Sequence, residues 1–272
     1  MKAGIFVNTL KENAKETTEK LISCLTANGV EYSLVLDDDI KNADFSMPEI
    51  DLLFALGGDG TVLRIAKHCA LKDIPIVGIN IGTVGFLTEI EPNEINSVIP
   101  LLLQNKYDVE KRSMLEFVDD NKSYLALNDV VVSKANDSRL LLLDLYINDE
   151  IVDKYYCDGF IVSTPTGSTA YSLSAGGAII SPQTEAFALT PINSHSLHSR
   201  PIVVDNKEIV SINPSNLSNI NVMVDGEVVY TGKAKSIKVK QSNITATFIR
   251  LDKHNFYNKL LKKLNKWSVV DL

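Results

Sequence analysis

Five consecutive residues, Gly57-Gly58-Asp59-Gly60-Thr61, combine features that phosphoryl chemistry asks of a protein. Glycines permit positive φ and close approach of backbone to a bound group, and a helix starting just after them offers unpaired N–H groups to phosphate oxygens. Asp59 carries the wrong charge to attract phosphate. Its use there would be to hold Mg²⁺, or to accept the proton of a hydroxyl as that oxygen attacks phosphorus. The plainer alternative is a turn in which the glycines relieve strain and Asp59 caps the helix. Arg64, one turn further on, is a candidate phosphate partner or a solvated helix arginine.

A second run, Asp158-Gly159-Phe160-Ile161-Val162-Ser163-Thr164-Pro165-Thr166-Gly167-Ser168-Thr169-Ala170-Tyr171-Ser172-Leu173-Ser174-Ala175-Gly176-Gly177, ends small, hydroxyl-rich and aromatic. Such a loop can cradle a nucleotide with N–H groups and hydroxyls, Tyr171 offering a flat face and Asp158 accepting from a ribose hydroxyl or an amine. A surface linker of the same composition is the alternative. The chain has no Gly-Lys-Ser/Thr loop and no Gly-x-Gly-x-x-Gly, so ATP, if used, is held another way. His195 and His198 lie in a Ser-rich segment with no carboxylate or cysteine at ligand spacing and read as surface histidines. His68 and His254 carry no signal, and no protein metal site is expected.

Composition narrows the classes. The 272 residues are 45% hydrophobic and 22% charged, which suits one large or two modest globular domains. A net charge of −7 argues against a generally basic nucleic-acid binder. The sequence contains no run of about 18 apolar residues that could span a bilayer, and the opening residues turn polar too soon for a signal peptide. A cytoplasmic protein is expected, without nucleic-acid or membrane partners. Cys24, Cys69 and Cys157 are odd in number and lack CxxC spacing, as expected of reduced packing thiols.

These motifs need elements to position them. Up to about residue 105, β-rich runs alternate with helical periodicity: strands at 5–7, 32–36, 52–56 and 74–79, and helices at 13–27, from 62 onward, and at 93–104. The 52–56 run, Leu-Leu-Phe-Ala-Leu, reads as a strand buried on both faces that hands over to the glycine turn. Asp37-Asp38-Asp39 reads as a solvated connecting loop. Beyond 105, short strands are predicted at 125–132, 141–147, 160–163, 202–204, 209–212, 222–224 and 237–240. The expected fold class is therefore an α/β N-terminal domain with a Rossmann-like open sheet (1–105), followed by a β-rich, sandwich-like domain (106–251). A closing helix (252–272) spaces Phe256, Leu260, Leu261, Leu264 and Trp267 on a docking face, with Lys253, Lys259, Lys262, Lys263 and Lys266 as a basic back. Membrane-surface binding is the sharper alternative for that helix.

Taken in order, four blocks resemble the NAD kinase family: the Gly57 to Thr61 turn, Asn80-Ile81-Gly82-Thr83-Val84-Gly85-Phe86-Leu87, Asn128-Asp129, and the run from Asp158 to Gly177. The first alone also resembles diacylglycerol-type lipid kinases and phosphofructokinases. The resemblance implies transfer of a phosphoryl group from ATP, accompanied by Mg²⁺, or from polyphosphate, to the adenosine ribose 2′-hydroxyl of NAD, giving NADP. It further implies a homodimer or homotetramer and no tightly bound cofactor. By the same resemblance Asp59 is the general base and Gly58 and Gly60 lie at the phosphates. Asn128 and Asp129 contact the dinucleotide, which requires a strand end or bulge, because neighbouring strand residues face opposite ways. Asp158 takes the nicotinamide half, and Thr169, Ala170, Tyr171, Ser172, Leu173 and Ser174 line the adenine and ribose pocket. Tyr156 stands where the family often has a basic residue, and Asn193, also placed at the nucleotide, where it has a small one. Asp225-Gly226-Glu227 resembles a family turn that reaches a neighbouring subunit's ligand, and is otherwise a hairpin turn. A lipid kinase and a non-catalytic NAD or NADP sensor are the competing readings.

Overall fold

Strand β1 (Lys2–Val7) buries Ala3, Ile5 and Phe6 completely and founds a parallel sheet. The computed structural model describes residues 1–9, 13–42, 45–82, 85–119, 122–135, 139–196, 198–215, 219–233, 236–251 and 255–267. They divide into two compact units, Met1–Lys111 with Ala246–Leu272, and Arg112–Thr245. The end of the chain thus returns to the first unit, and the divisions fall at 111/112 and 245/246 where the sequence suggested 105/106 and 251/252.

In the first unit β1 is followed by α1 (Ala14–Ala27), β2 (Glu31–Val35), the short helix α2 (Asp37–Ile40), β3 (Leu52–Gly57), α3 (Asp59–Ala70), β4 (Ile76–Asn80) and α4 (Ile95–Leu103). Helix α1 buries Ala14, Thr17, Leu21 and Leu25 at helical spacing and stops where Gly29 takes φ 68°. Every residue of β3 is buried, between parallel partners β1 and β4. The strand order β2-β1-β3-β4 places the first crossover on one side of β1 and the next on the other. Such a reversal opens a crevice at the carboxyl ends of the two diverging strands, here β1 and β3. Gly57 ends β3, so the glycine turn stands at that crevice. The acidic run departs from its expected loop: it forms α2, whose Leu36 N–H is accepted by the Asp39 carboxylate at 2.9 Å. Acidic side chains favour a helix N-terminus, which explains the difference.

The second unit contains most of β5 (Asp108–Asp119), then β6 (Lys122–Ala126), β7 (Asp129–Lys134), β8 (Leu141–Ile147), β9 (Glu150–Cys157) and β10 (Gly159–Ser163). After the one-turn helix α5 (Tyr171–Ser174) come β11 (Ala186–Ile192), β12 (Ile202–Asp205), β13 (Val210–Pro214), β14 (Ile220–Val224), β15 (Glu227–Gly232) and β16 (Ile237–Arg250). One antiparallel sheet runs β12-β11-β10-β7-β14-β15, and β16, β13, β8 and β9 pair in that order in another. Leu141, Leu143 and Leu145 on alternate positions of β8 meet Phe160, Val162, Phe187 and Leu189 from the facing sheet in one core. The predicted 125–132 strand is two strands, β6 and β7, separated by a bend at 127–128. Strands β5, β9, β11 and β15 carry no prediction. In β9 and β15, both at sheet edges, most residues are exposed or half-buried, so they lack the apolar runs by which a strand is recognised.

From Ala246 onward β16 belongs to the first unit, where Phe248 pairs in parallel with Ile76 of β4. It leads to helix α6 (Asn255–Trp267), which docks by a face only partly the expected one: Phe256 packs inward and Leu260 is half-buried as expected, while other members of the two faces change places. Leu261 and Leu264 are 59% and 38% exposed, whereas Lys259, assigned to the basic back, is only 7% exposed. Lys253 and His254, and the Lys266 and Trp267 side chains, fall outside the described residues. Cys24, Cys69 and Cys157 are free thiols, and burial pushes the Cys157 thiol up to about 12. No described helix is long and apolar enough to cross a membrane.

Candidate active site

The glycine turn is shaped by two close approaches. Gly57 takes φ 158°, and a Cβ there would lie 2.2 Å from Thr61 Oγ1. Its carbonyl accepts the Ile81 N–H at 2.9 Å, joining the ends of β3 and β4. Gly58 is the N-cap of α3, and its carbonyl accepts the Thr61 N–H. A Cβ on Gly58 or Gly60 would meet no described protein atom within 4 Å, so these two glycines face open space.

Asp59 does not cap its own helix. Its Oδ2 accepts the Phe86 N–H and its Oδ1 the Leu87 N–H, both at 2.9 Å. Those donors are in place because Glu89 and Ile90 N–H groups bond the Gly78 carbonyl and Asn80 N–H bonds that of Ile90, laying this segment along β4. Gly85 makes the approach possible, since a Cβ there would lie 2.0 Å from Asp59 Oδ1. Thr83 and Val84 of the same block fall outside the described residues. Lys263 Nζ of α6 stands 3.3 Å from Asp59 Oδ2, in a pair about one-quarter to one-third exposed. Arg64 pairs with Asp37 of α2 and lies 5.7 Å from the Phe6 ring centroid, so in this structure its charge is engaged within the unit rather than solvated.

In the second unit Asn128 lies in the bend before β7 and Asp129 is its first residue, the strand end that two neighbouring contacts demand. Asp225 holds this bend. Its carboxylate accepts the Leu127 and Asn128 N–H groups at 2.8 Å and that of Asp129 at 3.2 Å. It is presented by a tight hairpin turn in which Asp225 and Gly226 take φ 50° and 85°. Asp225 therefore turns to its own chain, while Glu227 is exposed. Burial, and then the Asp225 charge, push the Asp129 carboxyl up to about 7.

Asp158, between β9 and β10, meets Lys134 Nζ at 2.6 Å and the Asn193 side-chain amide at 3.0 Å. The Lys134 hydrogen bond, then that of Asn193, hold the Asp158 carboxyl below the usual range. Lys134 had no sequence signal. It arrives because β10 pairs with β7, Gly159 facing Ser133. A cation thus stands beside Asp158 although Tyr156 replaces the usual basic residue; Tyr156 is 48% exposed with His195 near its edge. Asn193 adopts φ 47° just after β11, a conformation asparagine tolerates. His198 stands 3.5 Å from Asp153, and among the described residues no three His, Cys, Asp or Glu side chains gather to hold a metal.

The hydroxyl-rich loop is built largely by its own hydroxyls. Thr164 Oγ1 donates to the Leu127 carbonyl and accepts the Gly167 N–H, and Ser168 Oγ donates to the Pro165 carbonyl and accepts the Ile180 N–H. Buried Arg112 reaches Thr166 Oγ1 at 3.1 Å. Of the six residues expected to line a pocket, Ser172 is fully buried, its hydroxyl 3.0 Å from that of Thr190, so its side chain faces inward. Tyr171 and Ser174 are exposed, and Thr169, Ala170 and Leu173 are half-buried.

Comparison with known proteins bears on this arrangement. Residues 43–107 match the ATP-NAD kinase N-terminal domain family and residues 127–251 the ATP-NAD kinase C-terminal domain family. An NAD kinase of Caldicellulosiruptor bescii is 38% identical over 267 residues, 98% of this chain and 100% of that protein. One of Methanothermobacter thermautotrophicus is 36% identical over 278 residues, 97% of this chain and 96% of that protein. Among solved structures, an NAD kinase from Archaeoglobus fulgidus in complex with ATP superposes with a TM-score of 0.78 at 26% identity, covering 97% of this chain and 99% of that one. Yeast NADH kinase complexed with NADH shares the fold, with a TM-score of 0.83 at 24% identity over 100% and 89% of the two chains. With both halves of the chain matched and relatives aligned over nearly its full length, this protein belongs to the NAD kinase family.

Proposed function

We propose that this protein phosphorylates the adenosine ribose 2′-hydroxyl of NAD with ATP to give NADP, with Asp59 as the general base. The observation that carries the reading is the Asp59 carboxylate, fixed by two backbone N–H groups beside the open Gly58 and Gly60 positions at the end of β3. ATP as donor is supported by the ATP bound to the Archaeoglobus fulgidus relative. Mg²⁺ would accompany ATP and would supply neutralisation of the charge on the transferring phosphoryl group.

In the reaction the 2′-oxygen attacks the γ-phosphorus; the new O–P bond forms as the bond from that phosphorus to the β,γ-bridging oxygen breaks, and ADP leaves. The 2′-hydroxyl proton passes to Asp59 and then to solvent. Phosphoryl transfer needs alignment and charge stabilisation more than covalent help, so the parts divide by what they offer. The glycine turn and the start of α3 present N–H groups to phosphates. Asp158, ionised beside Lys134, accepts from the nicotinamide amide or a ribose hydroxyl. Asn128, Asp129 and the 169–174 segment take the adenosine half, with the Tyr171 ring exposed for stacking. The Asp129 carboxyl, raised by burial and the Asp225 charge, can donate when protonated as well as accept.

The test is NADP formation by purified protein given NAD and Mg²⁺ with ATP, with polyphosphate as a second donor and diacylglycerol as a second acceptor. The reading expects NADP with ATP. Turnover of diacylglycerol alone would make the protein a lipid kinase, and tight NAD binding without turnover would make it a sensor.

A further inference from the structure

Helix α6 docks by a face that joins an expected residue, Phe256, to two lysines assigned to the opposite one. Phe256, Lys259 and Lys263 stand at i, i+3 and i+7, on one side of the helix. Phe256 packs on Phe86 with ring centroids 5.7 Å apart, and Lys259 Nζ donates to the Thr88 carbonyl at 2.8 Å. Lys263 Nζ lies 4.3 Å from the Phe86 ring centroid and 3.3 Å from Asp59 Oδ2. The apolar side chains Tyr257, Leu261 and Leu264 are left exposed. Turning lysines inward, where each must find an acceptor or an aromatic face, is an expensive way to dock a helix that carries leucines on its other side.

We propose that Lys263 is a positioning residue for Asp59 and selects the oxygen that takes the proton; this rests on the reading of Asp59 as the base. Oδ2 receives two donors, the Phe86 N–H and the Lys263 ammonium, whereas Oδ1 receives only the Leu87 N–H among the described residues. A carboxylate oxygen offers two lone pairs in its plane. Oδ2 is thus saturated and Oδ1 keeps one site for a substrate hydroxyl. Gly85 completes the arrangement, because any side chain there would cover Oδ1. The ammonium, itself held over the Phe86 ring, also resists rotation of the carboxylate about its Cβ–Cγ bond. Lys263 orients the base and touches neither substrate.

The test measures kcat and KM for NAD in Lys263→Met, Lys263→Arg, Asp59→Asn and the double variant Asp59→Asn/Lys263→Met. A positioning role lowers kcat about 10- to 100-fold in Lys263→Met through misorientation, with KM within about twofold, and Lys263→Arg recovers most of it. In the Asp59→Asn background the same Lys263→Met change alters the residual rate by less than about twofold, because residues acting as one unit are not additive. Unchanged kcat in Lys263→Met, an equal loss in both backgrounds, or a rise in KM alone overturns the assignment. If Asp59→Asn keeps the full rate, the base reading itself falls and takes this proposal with it. If Asp59→Asn loses the rate while Lys263→Met does not, only the role of Lys263 falls. Melting temperatures of all variants separate rate from folding, and Lys263→Gln, which keeps the stem and a donor, carries the test if the methionine variant unfolds.

Discussion

The glycine turn after β3 and the hydroxyl-rich loop after β10 look alike as sequence, both rich in small and polar residues, yet they use their polar groups in opposite ways. In the turn, polar atoms distant in the chain hold the one carboxylate, and the glycine face is left clear at Gly58 and Gly60. In the loop, Thr164 and Ser168 turn their hydroxyls inward to buried backbone groups, and Ser172 turns its own to the Thr190 hydroxyl. Buried hydroxyls need partners at a cost of about 1–3 kcal/mol when they lack them. A Ser/Thr-rich segment can therefore be a folding device first, with its exposed residues, Tyr171 and Ser174, and its half-buried ones, Thr169, Ala170 and Leu173, left to meet a ligand. The general lesson is that small polar residues signal close approach, and only their burial tells whether the approaching group is the protein itself or something bound to it.

The sharpest attack on this contrast compares three glycines. Gly85→Ala drives a Cβ into Asp59 Oδ1 and Thr88 Oγ1, at 2.0 and 2.8 Å. The expected result is a loss of about 10²-fold or more in kcat from displacement of the base, with a stability cost of about 1–3 kcal/mol; near-normal kcat would separate the 85–87 segment from the chemistry. Gly58→Ala places its Cβ in open space with φ −111° and ψ −171°, which alanine adopts freely. It should melt within a few degrees of the parent while raising KM for nucleotide about tenfold; an unchanged KM removes phosphate from that face. Gly167→Ala meets Asn128 backbone atoms at 2.1–2.7 Å and should destabilise the second unit by about 1–3 kcal/mol or more, read by urea unfolding.

A pH experiment probes the bend at 127–129. The Asp129 carboxyl is raised from 3.8 to about 7 by burial and the Asp225 charge, so the native state holds this proton more tightly than the unfolded chain. Its contribution to stability is complete below about pH 4 and is lost as pH rises through 7, by at most about 1.4 kcal/mol per pH unit across that window. Asp129→Asn should flatten this slope in urea titrations between about pH 4 and 7.5; an unaltered slope would place its source elsewhere. The smallest effect is expected of Ser172→Ala. It breaks one buried hydroxyl pair with Thr190, costing about 1 kcal/mol, and should leave KM for NAD unchanged; a raised KM would return Ser172 to the ligand.

Legibility followed burial and periodicity. The fully buried run 52–56 announced β3, and with it the place of the glycine turn, because a strand covered on both faces must be continuously apolar. Leu141, Leu143 and Leu145 announced β8 by alternation. Edge strands β9 and β15 left no such trace, since their side chains answer to solvent. Among the candidate site residues, Asp59, Asp129 and Asp158 stand out by motif, but the groups that surround them do not. Lys134 reaches Asp158 through strand pairing, Asp225 reaches the 127–129 bend across nearly a hundred residues, and Lys263 returns from the far end of the chain. The charged face of α6 misled for a physical reason: amphipathic spacing assumes that lysines seek water, and Lys259 and Lys263 instead find a carbonyl, a carboxylate and an aromatic ring.

In the proposed reaction the held carboxylate of Asp59 takes the proton. The direct measurement is the rate of NADP formation by Asp59→Asn beside its affinity for NAD by calorimetry. The expected result is a loss of about 10²- to 10⁴-fold in rate with NAD affinity largely kept. A rate near that of the parent, or a fall in affinity as large as the fall in rate, would contradict it.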